Sequence, residues 1–351
     1  MAGGTEPAKS ARFQGEAAIS AEGLHKAFGK IKALDGIDLA VPPGTVTALL
    51  GPNGAGKTTF VRILTTLLSP DAGQARVAGY DVVRDAAAVR TLIGLAGQYP
   101  AVDENLTGRE NLEMVGRLYH LDGSEARRRA SELLESFGLI DAAQRMVKTY
   151  SGGMRRRLDL AASLVARPPV LFLDEPTAGL DPRSRLGLWD VITSLVRGGT
   201  TVLLTTQYLE EADRLANNIA VLNNGRIIEQ GSAQYLKECC GGDVLVQIRL
   251  ADHAQTALAV ELLGTLGDGK IKSVAETGDI SIPVVGGPSI MAEVVRRLDA
   301  GGIALAELAM RQPTLDDVFL ALTGQTTEAS TEDVAKTTVS KRGRRFGRRA
   351  P

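Results

Sequence analysis

Cysteine is nearly absent: the 351 residues include two, Cys239 and Cys240, and these are neighbours. Adjacent cysteines rarely bridge, and two in so long a chain make no disulfide framework, so a stapled secreted domain is excluded and a reducing cytosol is the natural setting. Long apolar runs are missing too. No stretch approaches the roughly 18 continuous apolar residues of a transmembrane helix. The segment Met1–Gly15, with Glu6 and Lys9 in it, lacks the apolar core of a signal peptide. A soluble chain is therefore expected, one that needs a partner for any role at a membrane. Charge of either sign is not in excess: 40 Lys and Arg against 41 Asp and Glu leave a formal −1, so no nucleic-acid partner is expected. Histidine is scarce, with only His25, His120 and His253. No internal repeat is visible.

What is present is enough chain for two domains and enough apolar residues for a full core. Residues 1–17 read as a disordered leader. Ala18–Phe28 and Leu39–Leu50 read as strands separated by a turn at Asp35-Gly36 and a break at Pro42-Pro43-Gly44. The stretch 84–165 is largely helical in period. Val170–Leu173, Thr201–Thr205 and Ile219–Leu222 are short buried-strand runs, and strands alternating with helices predict a mostly parallel sheet. The first domain is expected over 18–240. After Gly241-Gly242 the pattern becomes strand (243–250), helix (254–266), strand (270–276), strand (279–285), helix (288–300), strand (303–311). That order predicts a split, ferredoxin-like α+β domain over 243–324. A last helix follows near 314–323, with Thr314 as its cap and Asp317 three residues on. Residues 325–351 read as a disordered tail whose run Lys341–Arg349 is basic without an acid.

Gly51-Pro52-Asn53-Gly54-Ala55-Gly56-Lys57-Thr58 fits the phosphate-loop pattern, with an apolar strand before it and a helical pattern after it. Glycines let the backbone curl so that its N–H groups face phosphate oxygens, and the helix offers its positive end to the same anion. Lys57 is expected to reach the β- and γ-phosphates, Thr58 to bind Mg²⁺, and Thr59 to add a hydroxyl contact. Val170–Leu173 ends in Asp174-Glu175, at the strand edge where ligands sit in an open α/β sheet. Asp174 suits the Mg²⁺ shell and Glu175 suits polarising a water. The expected cofactors are ATP and Mg²⁺.

Tyr150-Ser151-Gly152-Gly153-Met154, some twenty residues before the two acids, resembles the LSGGQ signature of ABC ATPases, with Tyr for Leu and Met for Gln. The helical pattern that follows puts Ser151, Gly152 and Gly153 at a helix N-terminus, a second anion site. The resemblance spans about residues 18–235. It implies an α/β P-loop NTPase fold, with a RecA-like core and a helical subdomain, ahead of the small α+β domain. It also implies that the signature serves the ATP of a second copy, packed head to tail. Gln98 corresponds to the glutamine that contacts Mg²⁺ and water and senses the membrane partner. Ala178-Gly179-Leu180-Asp181 resembles the D-loop, with Asp181 bridging two copies. Phe28 lies where a family aromatic, commonly Tyr, stacks on adenine; the plainer reading is a core Phe.

The family histidine is replaced. In Leu204-Thr205-Thr206-Gln207-Tyr208, Gln207 stands in its position. An amide can donate a hydrogen bond to the γ-phosphate but cannot become cationic or carry a proton as imidazole does, so slow turnover is expected. Together with Gly97-Gln98-Tyr99, Val102–Leu112 and Leu315–Leu320, this resembles the daunorubicin/doxorubicin-resistance type of ABC ATPase. Such a chain is implied to pair with an ABC-2-type permease at the cytoplasmic face of the membrane and to export hydrophobic antibiotics or lipids. A regulatory or non-transport ATPase is the alternative. The C-terminal domain suits dimer contact or regulation, or passive support. The basic tail suits contact with anionic lipid head groups, a solvated end, or non-specific nucleic-acid contact.

Overall fold

The structure, a computed structural model, describes residues 17–98, 101–240, 244–264, 266, 271–274, 277–284 and 289–323. The leader up to residue 16, Tyr99, Gly241-Gly242 and the basic tail lie outside these. The first compact unit runs to Ala233, and the second spans Gln234–Thr326.

In chain order the first unit holds β1 (Ile19–Phe28), β2 (Ile31–Val41), β3 (Val46–Leu50), α1 (Lys57–Leu64), β4 (Ala72–Val77), β5 (Tyr80–Asp81), α2 (Ala86–Leu92) and β6 (Ile93–Ala96). It continues with α3 (Gly108–Leu118), α4 (Gly123–Ser136), α5 (Gly152–Ser163), β7 (Val170–Asp174), α6 (Pro182–Arg197), β8 (Thr201–Thr206), α7 (Leu209–Leu215), β9 (Asn218–Asn223) and β10 (Arg226–Gly231). One sheet has the order β10-β9-β3-β8-β7-β6. It is parallel except at β10. A second, antiparallel sheet has the order β2-β1-β4-β5.

Both faces of the parallel sheet are covered, and this explains the unbroken apolar runs. Along β7, Val170 and Phe172 enter a core shared with Phe60, Ile63 and Leu39. Leu171 and Leu173 enter another with Leu158, Leu188 and Trp189. Successive side chains of a strand point to opposite faces, so a single strand feeds both cores.

Two details differ from the sequence reading. Asp35-Gly36 is not the turn between strands. It lies inside β2, where the register against β1 shifts between Leu24 and His25 and Gly36 adopts φ +82°. This is a β-bulge; the chain reverses instead at Gly29-Lys30, where Gly29 has φ +61°. The strand read from Leu39 also begins earlier, as β2 from Ile31, and ends at the expected break Pro42-Pro43-Gly44, beyond which β3 follows. The antiparallel strands β4 and β5 were not legible from pattern.

The second unit begins within α8 (Ala233–Cys240) and continues with β11 (Val244–Leu250), α9 (Thr256–Leu263), β12 (Lys272–Val274), β13 (Asp279–Val284), α10 (Ser289–Ala300), β14 (Leu305–Arg311) and α11 (Leu315–Thr323). Its sheet is antiparallel, in the order β12-β13-β11-β14. Val246, Ile248, Ile280 and Ile282 pack with Ala259, Leu263, Val294 and Leu298. The Thr314 N–H donates to Asp317 Oδ2 at 2.8 Å, and the Asp317 N–H returns to Thr314 Oγ1 at 3.3 Å, a reciprocal cap on α11.

Candidate active site

Four loops leave the carboxyl ends of neighbouring parallel strands. β3 leads to Gly51, β8 to Gln207, β7 to Glu175 and β6 to Gln98. Register aligns them: Leu50 pairs with Thr206, Asp174 with Thr205, and Ala96 with Leu173. The Gly51 N–H donates to the Thr206 carbonyl at 3.3 Å, which ties the base of the glycine loop to the residue before Gln207. Gln98 is exposed and Gln207 is half-buried.

The loop itself is a cradle that side chains would fill. A Cβ on Gly51 would meet the Leu222 carbonyl oxygen at 2.3 Å. One on Gly56 would meet that of Ala33 at 2.4 Å. Gly56 also has φ +112° where it caps α1, and Gly54 has φ +79°. The wall carrying Ala33 belongs to the β1–β2 hairpin, whose tip holds Phe28 opposite Ile31. Phe28 is 51 % exposed and so is not a core residue.

Lys57 is buried and its Nζ has three partners. It donates to the carbonyls of Gly51 at 2.8 Å and Pro52 at 3.1 Å, and pairs with Glu175 Oε1 at 3.2 Å. Thr58 Oγ1 donates to Asp174 Oδ1 at 3.4 Å, and Thr205 Oγ1 donates to the same oxygen at 2.5 Å. Thr59 follows on the same turn of α1. Glu175 sits at φ +50°, a left-handed conformation costing of the order of 1–3 kcal/mol for a residue with a side chain. Its surroundings hold it there: its N–H donates to the Thr205 carbonyl and hydroxyl, both at 3.1 Å, and its carbonyl accepts from Arg156.

Ser151, Gly152, Gly153 and Asp181 gather in a second cluster. The Met154 N–H donates to Ser151 Oγ at 3.2 Å, capping α5. A Cβ on Gly153 would lie 2.7 Å from Ser184 Oγ, and that hydroxyl donates to Asp181 Oδ2 at 2.6 Å as Asp181 caps α6. Hydrogen bonding to Ser184 holds the Asp181 carboxyl below its usual range. Tyr150 fills the helical core with its hydroxyl donating to the Ala142 carbonyl at 2.7 Å, an apolar body with a satisfied polar tip.

Comparison with known proteins follows the same outline. The ABC transporter family profile matches residues 34–178. The daunorubicin resistance ATP-binding protein DrrA2 of Streptomyces coeruleorubidus is 54 % identical over 311 residues, covering 89 % of this chain and 96 % of that protein. The daunorubicin/doxorubicin resistance ATP-binding protein DrrA of Streptomyces peucetius is 49 % identical over 330 residues, covering 91 % and 96 %. This chain belongs to the daunorubicin-resistance family of ABC ATPases. A dimeric ATP-binding cassette in a post-hydrolysis state with ADP and Pi superposes with a TM-score of 0.57 at 25 % identity, covering 61 % of this chain and 98 % of that one. As an ABC ATPase, the chain binds nucleotide and hydrolyses ATP to drive transport.

Three residues of this ABC ATPase carry more of the site than their sequence context suggested. Thr205 holds both Asp174 and Glu175, as described. Arg156, buried on α5, donates to four backbone carbonyls around the centre. Its neighbours Arg155 and Arg157 disguise it as part of a solvated run; the only signal is Asp159 three residues on. Glu211 is fully buried on α7, the helix that follows Gln207 and Tyr208. The Trp189 indole N–H donates to Glu211 Oε1 at 3.1 Å.

Burial pushes the Glu211 carboxyl up from 4.5, against the Thr206 hydroxyl and the Trp189 indole. A carboxyl whose folded pKa is raised binds more protons folded than unfolded. Its contribution is therefore complete below the unfolded value of 4.5 and is lost as pH rises through the folded value. Glu211→Gln removes that titration and keeps an acceptor for the indole. Its unfolding midpoint should gain on the wild type as pH rises above the unfolded value of 4.5; a gap that does not change with pH would rule this account out.

Proposed function

We propose that the chain is the motor subunit of an exporter. Bound ATP draws two copies together head to tail. Their closure drives a separate ABC-2-type permease that moves a hydrophobic drug, antibiotic or lipid out of the cell. The motor reading rests on one observation above all: Lys57 pairs with Glu175 and Thr58 with Asp174, joining the loops that leave β3 and β7 on either side of β8, below the glycine cradle. The resistance named for the relatives supports the substrate class.

In this reading Gly51, Pro52, Asn53, Gly54, Ala55 and Gly56 wrap the phosphates, with Thr59 adding a hydroxyl and Phe28 stacking on adenine. The phosphates compete with Glu175 for Lys57. As Lys57 turns to the β- and γ-phosphates, Glu175 is released to accept a hydrogen bond from the attacking water. Gln207 donates to the γ-phosphate. Ser151, Gly152 and Gly153 close on the partner copy's nucleotide, and Asp181 bridges the copies. The Thr58 hydroxyl, the Asp174 carboxylate and the Gln98 amide are all hard oxygen donors. This fits Mg²⁺, which is usually held by one or two carboxylates plus phosphates and water. Bound there, Mg²⁺ supplies neutralisation of the developing phosphate charge.

In this reading the chain attaches peripherally at the cytoplasmic face through its permease; among the described residues no helix is long and apolar enough to cross a membrane. A cleft of about 290 Å³ walled by Leu67, Ala101, Val102, Val115 and Tyr119 opens three residues beyond Gln98 and suits a permease segment. The alternative, in which ATP acts mainly as a ligand, draws on Gln207, whose amide cannot take a proton.

Hydrolysis measured against protein concentration separates the two. For the motor, rate should rise more steeply than linearly with protein, fall in Gln207→Ala and rise in Gln207→His. Strictly linear activity, indifferent to both substitutions, would remove the composite site and the role of Gln207.

A further inference from the structure

We propose that Arg156 is a positioning residue, one that makes the signature helix move the hydrolytic centre of its own chain. α5 begins at the signature residues Ser151-Gly152-Gly153. One and a half turns along, the Arg156 guanidinium reaches across the core. Its Nε donates to the Pro176 carbonyl at 2.7 Å, its Nη2 to the carbonyls of Asp174 and Glu175, both at 3.1 Å, and its Nη1 to the carbonyl of Gly97. These carbonyls lie within or beside the two acids and immediately before Gln98.

Asp159 completes the grip. Its Oδ2 lies 3.4 Å from Arg156 Nη1, and its Oδ1 accepts the Ala101 N–H at 2.7 Å. Gln98 is thus held from both sides, Gly97 by Arg156 and Ala101 by Asp159. The two holders sit one helical turn apart on α5, so a tilt of that helix moves both ends of the loop and the backbone of Glu175 together. Only a planar fork with five donors spans so many acceptors; a lysine cannot. A buried ion pair is a poor way to gain stability when apolar residues could fill the same volume. The geometry is better explained by a demand for registration between elements.

This inference rests on the reading of Glu175 and Gln98 given above. If the signature closes on the partner's nucleotide, Arg156 carries that closure to its own chain's Glu175 and Gln98. Each copy would then fire only when its partner is loaded.

The test is steady-state hydrolysis and binding of a fluorescent ATP analogue by the full chain. Arg156→Gln should lower kcat at least about tenfold while nucleotide affinity stays within about threefold, because misplaced catalytic groups cost rate rather than ground-state binding. Added to Glu175→Gln it should lower the residual rate no further, because it acts through that residue. Parallel loss of binding and turnover, or full additivity in the double variant, would reduce Arg156 to scaffold. If Arg156→Gln does not fold, Asp159→Asn decides: it keeps an acceptor for Ala101 but loses the charge facing Arg156. A severalfold fall in kcat with binding intact supports the proposal, and unchanged kcat overturns it. Wild-type turnover in Glu175→Gln alone would instead remove the reading of the centre and leave the linkage without an object.

Discussion

Glu175→Gln should abolish turnover and tighten nucleotide binding at the same time. The loss of rate follows from the chemistry of the amide, which matches the carboxylate in shape but is not a base. A positioned general base contributes about 10²–10⁴-fold, and the variant should fall by at least about 100-fold. The gain in affinity follows from Lys57. In the protein its ammonium is shared between two carbonyls and the Glu175 carboxylate at 3.2 Å. Phosphates must win it from that carboxylate. Replacing the charge with an amide removes the competitor and leaves a buried cation better disposed toward an anion. Single-turnover hydrolysis and equilibrium nucleotide titration read the two effects separately. Turnover within about twofold of wild type would refute the role of Glu175, and weaker binding would refute the competition.

The second large effect concerns the cradle and pits two glycines against each other. Gly56→Ala must accommodate a Cβ 2.4 Å from the Ala33 carbonyl oxygen at φ +112°. Ala33 lies in β2, which is held by β1 through Lys32 and Leu34 on either side and tied to the Gly225 carbonyl by the Asp35 N–H, so the loop rather than the wall must move. Backbone strain of this kind costs about 1–3 kcal/mol, and moving the loop turns Lys57 and the start of α1 away from the phosphates. Nucleotide affinity should drop by at least about tenfold, which corresponds to about 1.4 kcal/mol. Gly54→Ala also takes a side chain to positive φ, +79°, but meets nothing within 4 Å. Its cost is strain alone, and its affinity should lie between that of Gly56→Ala and the wild type. Thermal unfolding and nucleotide titration of the pair check this; equal behaviour would mean that the contact with Ala33 is irrelevant.

The contrast between these glycines also shows what sequence can carry. The phosphate loop was legible because its chemistry is local: spacing, Lys57 and Thr58 sit in one stretch between an apolar strand and a helix. The two acids were legible for the same reason, at the end of an apolar run. Asp35-Gly36 was misread because a bulge and a hairpin turn ask the same thing of glycine, a positive φ. Only the pairing tells them apart: His25 faces Asp35 while its neighbour Leu24 faces Ile37, so Gly36 is skipped. Arg156 and Glu211 were missed because each has a decoy beside it. Arg155 and Arg157 make a basic run, and Glu210 is exposed next to the fully buried Glu211. Burial is a property of the helix phase against a distant strand, and short charged runs do not reveal phase.

The parallel sheet has a second rim. The four loops of the hydrolytic centre leave strands at their carboxyl ends, and the turns that enter those strands at the other end carry none of the residues placed in that centre. Between α6 and β8, Gly198 is exposed and a side chain added at Gly199 would meet nothing within 4 Å, although its φ of +87° favours glycine or asparagine. A fluorophore, an affinity handle or even new chain termini grafted at that turn would ride on the scaffold without touching its working surface. Motions of the active rim could then be watched from a reporter that takes no part in them.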